Sequence, residues 1–387
     1  MTKPFEIGPI RPPSEADSLL LRVTRNCPWN KCKFCKLYKG QRFTARAVAE
    51  IKADIDQIAA YRDDIRDWTS ATHDPDGHDP SRNAALLYKK LGSMPAETAE
   101  RYLYIQRWLA LGRGTVFFQD ANTMVLTYSK LREILEHLRE KLPEVKRVTS
   151  YGRVDSLSKF TVDELTALKT AGLDRIHSGY ESGSDKVLAL LNKGYTKAQE
   201  IEAGQRVKAS GIELSIYYMP GAGGRELSDD NADETADVVN KVNPDFVRIR
   251  TFVSLPGTEL INDIREGRMT ECTDIGKMRE LRRMIAAIDN ADGHLFNDHI
   301  INLFENVNGN MKTDKNKMLS IFAEFENLTP QEQRQYQLAR RTATIRTLPD
   351  YPRLPASQRE KINELNEYLD TEEEFEKFLL KRLRHYV

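Results

Sequence analysis

Residues 115–153 read TVFFQDANTMVLTYSKLREILEHLREKLPEVKRVTSYGR, and this stretch predicts two strands on either side of a helix. Thr115–Gln119 and Val145–Ser150 are short runs rich in strand-forming residues. Between them, the apolar residues at 131, 134, 135 and 138 follow the i, i+3, i+4, i+7 spacing of one helix face, and Pro143 ends that helix. A strand, a helix and a second strand in this order predict parallel strands joined by a right-handed crossover.

The same alternation continues on both sides of this stretch. Thr161 and Glu164 form a capping box for the next helix, and Gly172 is placed to end it. Further strands are predicted at 175–178, 212–219 and 246–253, and residues 18–24 (SLLLRVT) add one at the front. Six strands separated by helices predict an α/β fold, either an open doubly wound sheet or a partial (β/α)6 barrel of parallel strands.

Two regions lie outside this alternation. About ninety residues separate the first two strands, far more than one crossover helix needs. Residues 48–61 can supply that helix, residues 72–83 are rich in turn formers, and residues 86–111 are again helical in pattern. We therefore predict a core domain over residues 1–290 with a helical insertion at about 62–113. The remainder, residues 291–387, is predicted to form a C-terminal helical extension.

Composition limits the classes of function. The 387 residues include 58 Lys and Arg and 58 Asp and Glu, so the formal net charge is zero and the basic excess of a bulk nucleic-acid binder is absent. With 40% hydrophobic and 30% charged residues, the chain can bury a substantial core. It shows neither a signal-like start nor the apolar run of about 18 residues that a membrane span needs, which predicts a soluble, cytoplasmic protein with no membrane partner.

Three of the four cysteines lie within nine positions, CPWNKCKFC at 27–35, directly after the first predicted strand. This clustering does not fit a disulfide framework, whereas three soft thiolates on one loop suit zinc or an iron–sulfur cluster. Structural zinc needs a fourth ligand, which Cys272 or His294 could supply from a distance. A [4Fe–4S] cluster held by three cysteines leaves one iron with an open coordination position. The predicted metal ligands are Cys27, Cys32 and Cys35.

A three-cysteine loop after the first strand of a six-fold βα pattern resembles the radical S-adenosylmethionine (SAM) superfamily. The usual spacing there is C-x3-C-x2-C, and this sequence has one extra residue in the first gap. The resemblance covers about residues 18–260. It implies an oxygen-sensitive enzyme with a [4Fe–4S] cluster, SAM, and an external electron donor such as flavodoxin or ferredoxin. In that family an electron from the reduced cluster cleaves SAM to methionine and a 5′-deoxyadenosyl radical, which abstracts hydrogen from a substrate.

The resemblance also assigns SAM contacts to residues near the cysteines and after the second and third predicted strands. Phe34, directly before the third cysteine, matches the aromatic residue that packs against the SAM adenine. Asp120 stands where the family has a Gly-Gly-Glu-like motif for the SAM amino group, of which only the acidic side chain is kept. Ser150 or Arg153 matches the polar or basic group that the family presents to the SAM carboxylate.

Residues after the later strands complete this set. Glu181 and Ser182 resemble the segment that contacts the SAM ribose. Gly221 lies in the turn MPGAGG (219–224), which lets the backbone approach adenine, and Arg250 resembles the end of the sixth strand. Ligand sites of parallel α/β folds lie at the carboxyl ends of strands, so we expect all of these residues to border one site.

The region after the predicted core opens with GHLFNDHIINL (293–303), which concentrates His, Asp and Asn residues. Near a substrate, His294, Asp298 and His299 would act as proton carriers or polar anchors, and they are the predicted catalytic residues. The alternative is ordinary helix capping by the Asn or Asp with a satisfied histidine.

The predicted function is cleavage of SAM followed by hydrogen abstraction from an unidentified small-molecule substrate, with an oxidoreductase, transferase or lyase outcome. One alternative is a radical SAM enzyme that modifies tRNA or another RNA, for which the basic, tyrosine-containing stretch 334–353 offers a surface. The same stretch also fits a solvated helix face. The other alternative is a non-catalytic protein that binds zinc or an iron–sulfur cluster.

Overall fold

The computed structural model of the protein describes residues 4–70 and 87–386. The predicted turn-rich segment at 72–83 lies outside the described residues. The chain forms two compact units. The first comprises residues 1–28, 40–177 and 210–212, and the second comprises residues 29–39, 178–209 and 213–387.

A parallel sheet lies at the centre of the first unit. β1 (Leu19–Arg22) pairs with β4 (Thr115–Gln119), which pairs with β5 (Arg147–Tyr151), and β5 pairs with the first part of β6 (Leu173–Glu181). The short strands β2 (Thr24–Arg25) and β3 (Thr44–Ala45) form a separate antiparallel pair. The residues of β1 and β4 are almost all buried, as expected for parallel strands that are covered on both faces.

The helices of the first unit follow the predicted order, with one difference. They are α1 (Val48–Ser70), α2 (Ala96–Leu111), α3 (Tyr128–Lys141), α4 (Val154–Leu157) and α5 (Val162–Ala171), with 3-10 turns at Pro13–Glu15 and Thr123–Val125. The predicted apolar face of α3 is buried, and the Thr161–Glu164 capping box of α5 is present. The crossover helix was predicted to end near residue 61, but α1 has 23 residues and ends at Ser70. It extends further because buried Ile65 continues its apolar face.

The second unit contains the remaining strands. β7 (Glu213–Tyr218), β8 (Phe246–Ile249) and β9 (His294–Phe296) are parallel, and β10 (Gly309–Asn310) is antiparallel to β9. All six predicted strands are therefore present in one mostly parallel, eight-stranded sheet, which confirms the α/β class. Within the predicted C-terminal helical extension, β9 and β10 precede the helices, and three-residue β9 is too short for its periodicity to be visible in the sequence.

Nine α-helices accompany these strands among the described residues of the second unit. They are α6 (Asp185–Leu190), α7 (Lys197–Ala209), α8 (Ser228–Val242), α9 (Leu260–Arg265), α10 (Asp274–Ala286), α11 (Lys315–Glu326), α12 (Pro330–Arg341), α13 (Ala356–Tyr368) and α14 (Glu372–Leu383). 3-10 turns lie at Leu348–Arg353 and Arg384–Tyr386. In the described ranges, no helix in either unit has the length and apolar character needed to cross a bilayer.

Part of the basic stretch at 334–353 is internal, while Arg346 and Arg353 are exposed. Tyr336 and Tyr351 are buried, and Arg340 and Arg341 are at most 2% exposed. The Arg340 guanidinium donates hydrogen bonds to the backbone oxygens of residues 300 and 302 at 2.7 and 3.0 Å. Since buried charges need partners, these arginines act as an internal brace of the 300–302 segment and offer little surface to RNA or water.

Candidate functional site

Backbone hydrogen bonds hold the second-unit part of the cysteine loop, residues 29–39. The Lys33 N–H donates to the Leu191 oxygen at 2.9 Å, and the Leu260 N–H donates to the Lys33 oxygen at 3.0 Å. Cys32 is buried and Cys35 is half-buried, while Cys27 belongs to the first unit. Among the described residues, no three His, Cys, Asp or Glu side chains form a preassembled metal-binding group. The loop itself is firmly anchored within its unit.

Trp29 fixes this loop against the turn that follows α6. Its indole N–H donates to the Asn192 oxygen at 2.8 Å, and the Asn192 side chain donates to the Lys31 oxygen at 3.1 Å. The Trp29 ring lies so close to Gly194 that an added Cβ would be 2.3 Å from ring carbons. Gly194 also has a φ of +80°, in the region that favours glycine.

Gly194→Ala is therefore expected to lower the free energy of unfolding by at least about 2 kcal/mol, from left-handed strain and displacement of Trp29. Gly211→Ala is the matched control, because Gly211 has a φ of +78° but no atoms within 4 Å of an added Cβ. Urea unfolding of both variants separates backbone strain from the clash. If the two variants lost the same free energy of unfolding, contact with the Trp29 ring would not contribute to the requirement for glycine at position 194.

Phe34 lies among residues that were assigned to SAM. Its ring packs against a buried apolar cluster that includes Met219. The ammonium group of Lys193 lies 5.7 Å from the Phe34 ring centroid and donates to the Gly179 oxygen at 2.7 Å, and it pairs with Glu181 at 3.3 Å. The structure thus brings Phe34 and Glu181 into one neighbourhood, joined by Lys193.

Ser182 has a role within the turn after β6. It is buried, and its hydroxyl accepts a hydrogen bond from the Ser184 N–H at 3.0 Å. Ser184 in turn caps α6 through the Val187 N–H. Ser182 therefore shapes the backbone directly after Glu181. The backbone carbonyl oxygen of Glu181 accepts a hydrogen bond from the Met219 N–H at 2.9 Å.

The glycine-rich turn is held by a carboxylate that sequence analysis missed. Glu280 on α10 is 2% exposed and accepts hydrogen bonds at 2.9 Å from both the Gly221 N–H and the Tyr218 hydroxyl. Ser228 and Asn231 donate to the same carboxylate at 2.6 and 2.7 Å. No local spacing marks Glu280, because it lies about sixty residues from the turn and looks like any polar helix residue.

Glu280 predicts a pH dependence of stability. Burial raises the pKa of Glu280 to about 7, against the opposing effect of its hydrogen bonds. Between pH 4.5 and 7 the folded state therefore holds a proton that the unfolded chain releases, so stability falls as pH rises through this range.

The contribution of Glu280 to this fall is about 3 kcal/mol between pH 4.5 and 8. Glu280→Gln keeps the side-chain shape and removes the titrating group. The free energy of unfolding of this variant should therefore fall by about 3 kcal/mol less between pH 4.5 and 8 than that of the unsubstituted protein. Urea unfolding of both proteins across this range measures the difference. An unchanged pH profile in Glu280→Gln would contradict the assignment.

In the first unit, the predicted SAM residues have intramolecular partners. Asp120 is fully buried and accepts hydrogen bonds from the Arg22 guanidinium at 2.7 Å and from the Asn26 N–H at 3.3 Å. The Arg153 guanidinium donates to Asp155 at 2.9 Å, and the buried Ser150 hydroxyl donates to the oxygen of the next residue. Arg22 was missed because it lies inside the apolar run of β1, where a charged residue had no assigned role.

The three predicted catalytic residues do not lie together. Arg250 follows β8, with its guanidinium 3.8 Å from the Asp298 carboxylate. The neighbouring His299 is half-buried, and its Nδ1 accepts the Ile301 N–H at 3.3 Å. Burial, with a further effect from Arg250, lowers the pKa of His299 to about 4, so its imidazole is neutral at physiological pH. His294 instead begins β9 opposite Phe246, the first residue of β8, and thus lies at the opposite strand end.

The chain is similar to known proteins over more than half of its length. The model of the Radical SAM superfamily matches residues 21–238. The chain is 26% identical over 175 residues to a tRNA-2-methylthio-N(6)-dimethylallyladenosine synthase of Syntrophus aciditrophicus, covering 44% of this chain and 37% of that protein. It is 24% identical over 253 residues to a tRNA uridine(34) acetyltransferase of Methanocaldococcus jannaschii, covering 62% of this chain and 43% of that protein. The chain spans less than half the length of these two curated relatives.

Among solved structures, the coproporphyrinogen III oxidase of Escherichia coli is similar with a TM-score of 0.43 and 15% identity. That alignment covers 70% of this chain and 51% of the other.

Proposed function

The chain belongs to the radical SAM superfamily, and from that premise we propose that it is a [4Fe–4S]-dependent enzyme that cleaves SAM reductively and abstracts hydrogen from its substrate. The observation that carries the proposal is the family match over residues 21–238. This range contains the cysteine loop and every residue assigned to SAM except Arg250.

The donor set of the cysteine loop fits such a cluster. Cys27, Cys32 and Cys35 offer three thiolates, and the loop that carries the last two is tied to its unit by backbone hydrogen bonds at Lys33. The fourth cysteine, Cys272, is buried and lies outside this loop. With SAM and the cluster bound, the site would supply a 5′-deoxyadenosyl radical.

The protein residues around SAM bind and orient it. Phe34, on its apolar cluster that includes Met219, would provide a flat surface for adenine. Glu181 would accept hydrogen bonds from ribose hydroxyls, and the Gly221 turn, fixed by Glu280, would keep a constant backbone shape near the base. Asp120 would receive the SAM amino group beside Arg22, which pairs with this buried carboxylate.

The test is anaerobic reconstitution with iron and sulfide, followed by reduction with dithionite and addition of SAM. Chromatography should detect 5′-deoxyadenosine in amounts that exceed a protein-free control. The flavodoxin or ferredoxin proposed as the cellular electron donor should replace dithionite in the same assay. A colourless protein that binds one zinc and leaves SAM intact would contradict the proposal.

We propose a small molecule as the substrate of this site. The zero net charge supports this choice, as does the burial of Arg340 and Arg341 in the one basic stretch that the sequence offered to RNA. A second candidate is tRNA modification, because both curated relatives are named for reactions on tRNA.

Binding of total tRNA at 50 and 200 mM salt separates the two candidates. Tight binding at low salt that weakens by about tenfold or more at high salt would favour tRNA, since phosphate contacts depend steeply on salt. We expect no such binding for a small-molecule enzyme.

A further inference from the structure

Strands β7 and β8 carry two different faces. Leu214, Ile216 and Tyr218 alternate along β7 and are buried, and Val247 and Ile249 lie in register on β8. Since side chains alternate between the faces of a strand, Ser215 and Tyr217 share the opposite face with the residues at 248 and 250. This face of the second unit, defined by residues 215, 217, 248 and 250, is polar, and we call it the arginine face.

Arg248 is deeply embedded in the arginine face. It is 4% exposed, and its Nε–H donates to the Ser215 hydroxyl at 3.2 Å. Its guanidinium lies 4.7 Å from the ring centroid of Phe296 on β9 and 5.8 Å from that of Phe246. Stacking on aromatic rings stabilises a cation while leaving the edge of the guanidinium plane for hydrogen bonds.

Arg250 is the more accessible of the pair. Its guanidinium lies 5.4 Å from the Tyr217 ring centroid, and its side chain is 18% exposed. One N–H donates to the Ile249 oxygen at 2.8 Å, while the Asp298 carboxylate at 3.8 Å is beyond hydrogen-bond distance. Because a guanidinium has five N–H donors, Arg250 keeps several for a ligand.

His299 adds a neutral donor beside Arg250. Its Nδ1 accepts the Ile301 N–H, so the proton of the neutral imidazole lies on Nε2, which can donate. The charged groups that act on His299 are Arg250, Asp298 and Arg340, and the two arginines lower its pKa while Asp298 raises it. The local potential is therefore positive, even though a carboxylate is near.

We propose that Arg250, supported by Arg248 and His299, binds an anionic group of the substrate, either a carboxylate or a phosphate. Two guanidinium groups on one strand face and a neutral N–H donor supply the kinds of donor that bind such an anion. The inference rests on the proposed function, because it names the substrate class for that same enzyme. It also gives Arg250 and His299 roles in substrate binding, in place of the SAM contact and the proton transfer that were expected from the sequence.

The test uses the full chain with 13C-labelled histidine, kept anaerobic, and follows the His299 imidazole by NMR. The resonance is assigned with His299→Gln. Sodium phosphate and, separately, sodium acetate are titrated at constant ionic strength, so that the two anion types are compared. We expect a saturable shift of His299 with at least one of them, and an upward movement of its pKa, because a bound anion offsets the charge of Arg250.

Variants make the result specific. Arg250→Gln should weaken anion affinity at least about tenfold, the loss expected for one charge-assisted hydrogen bond, and should itself raise the pKa of His299. Arg250→Lys keeps the charge and should retain part of the affinity. Arg282→Gln is the matched control, because Arg282 is 44% exposed and pairs with Glu326. Absence of a saturable shift with both anions, or unchanged affinity in Arg250→Gln, would overturn the inference.

The outcome is separable from the proposed function. Anion binding requires neither SAM nor an electron donor, whereas 5′-deoxyadenosine formation requires both. Anion binding without 5′-deoxyadenosine would contradict the proposed reaction alone. Formation of 5′-deoxyadenosine by a protein that binds neither anion would contradict only the anionic substrate.

Discussion

Cys32→Ala is expected to abolish formation of 5′-deoxyadenosine and to remove most of the iron bound after anaerobic reconstitution. A cluster held by three thiolates has no spare protein ligand, and Cys32 is the buried member of the set. Substitution of Cys32 should therefore remove the cluster. By contrast, substitution of a residue that only positions SAM should slow the reaction and leave the cluster in place. Iron content, visible absorption and 5′-deoxyadenosine are measured on the same preparations.

Cys272→Ala is the matched control for this result. Cys272 is also buried, but it lies outside the loop and belongs to the second unit near α10. The Cys272→Ala protein should bind iron and cleave SAM as the unsubstituted protein does. Equal loss of metal in both variants would instead indicate a four-cysteine site, and normal activity in Cys32→Ala would contradict the cluster assignment.

Arg341→Met is expected to lower the free energy of unfolding by about 3–5 kcal/mol, because it leaves a buried carboxylate without its partner. The Arg341 guanidinium pairs with Asp274 at 2.7 Å, and the two side chains are 1% and 2% exposed. Arg341 also donates to the Ile301 oxygen at 3.0 Å. Urea unfolding at pH 7 measures the loss.

Two further variants separate the buried charge from the loss of one arginine. Arg282→Gln removes an exposed pair with Glu326 and should cost less than about 1 kcal/mol. Arg341→Met combined with Asp274→Leu should recover part of the stability, because no orphan charge remains. If Arg341→Met were as stable as Arg282→Gln, the buried pair of Arg341 and Asp274 would contribute little to stability.

The same pair has a defined pH dependence. Burial acts to raise the pKa of Asp274, but the charge and hydrogen bond of Arg341, together with the charges of Lys277 and Arg340, outweigh burial and lower the pKa. The stability from this pair is therefore present above the ordinary Asp pKa and is lost as pH falls below it.

Much of the fold was predictable because it depends on local patterns. Buried strands and capped helices leave their periodicity in the sequence, as α3 and the Thr161 cap of α5 show. β9 was missed because its three residues are held by pairing with β8 and carry no period of their own. The length of α1 was underestimated because its C-terminal part continues past the expected end of one crossover helix.

The candidate site was predictable only where a residue follows a strand. Glu181 and Arg250 were proposed from the sequence in this way, and their roles stay predictions. Glu280, Arg22 and Arg341 were not, because their roles come from partners about sixty to one hundred residues away in sequence. The burial of part of stretch 334–353 was missed for a related reason. Charged residues in a sequence suggest a surface, and only the structure shows that Arg340 and Arg341 are paired inside.

The extra residue between the first two cysteines has an evolutionary consequence. The longer gap contains Trp29, and that side chain requires a residue without Cβ at position 194. Trp29 and the glycine some 165 residues later are thus coupled positions for selection. Among natural variants of this chain, a bulky residue should be acceptable at 194 only where the tryptophan is absent. Two distant sites would then change together.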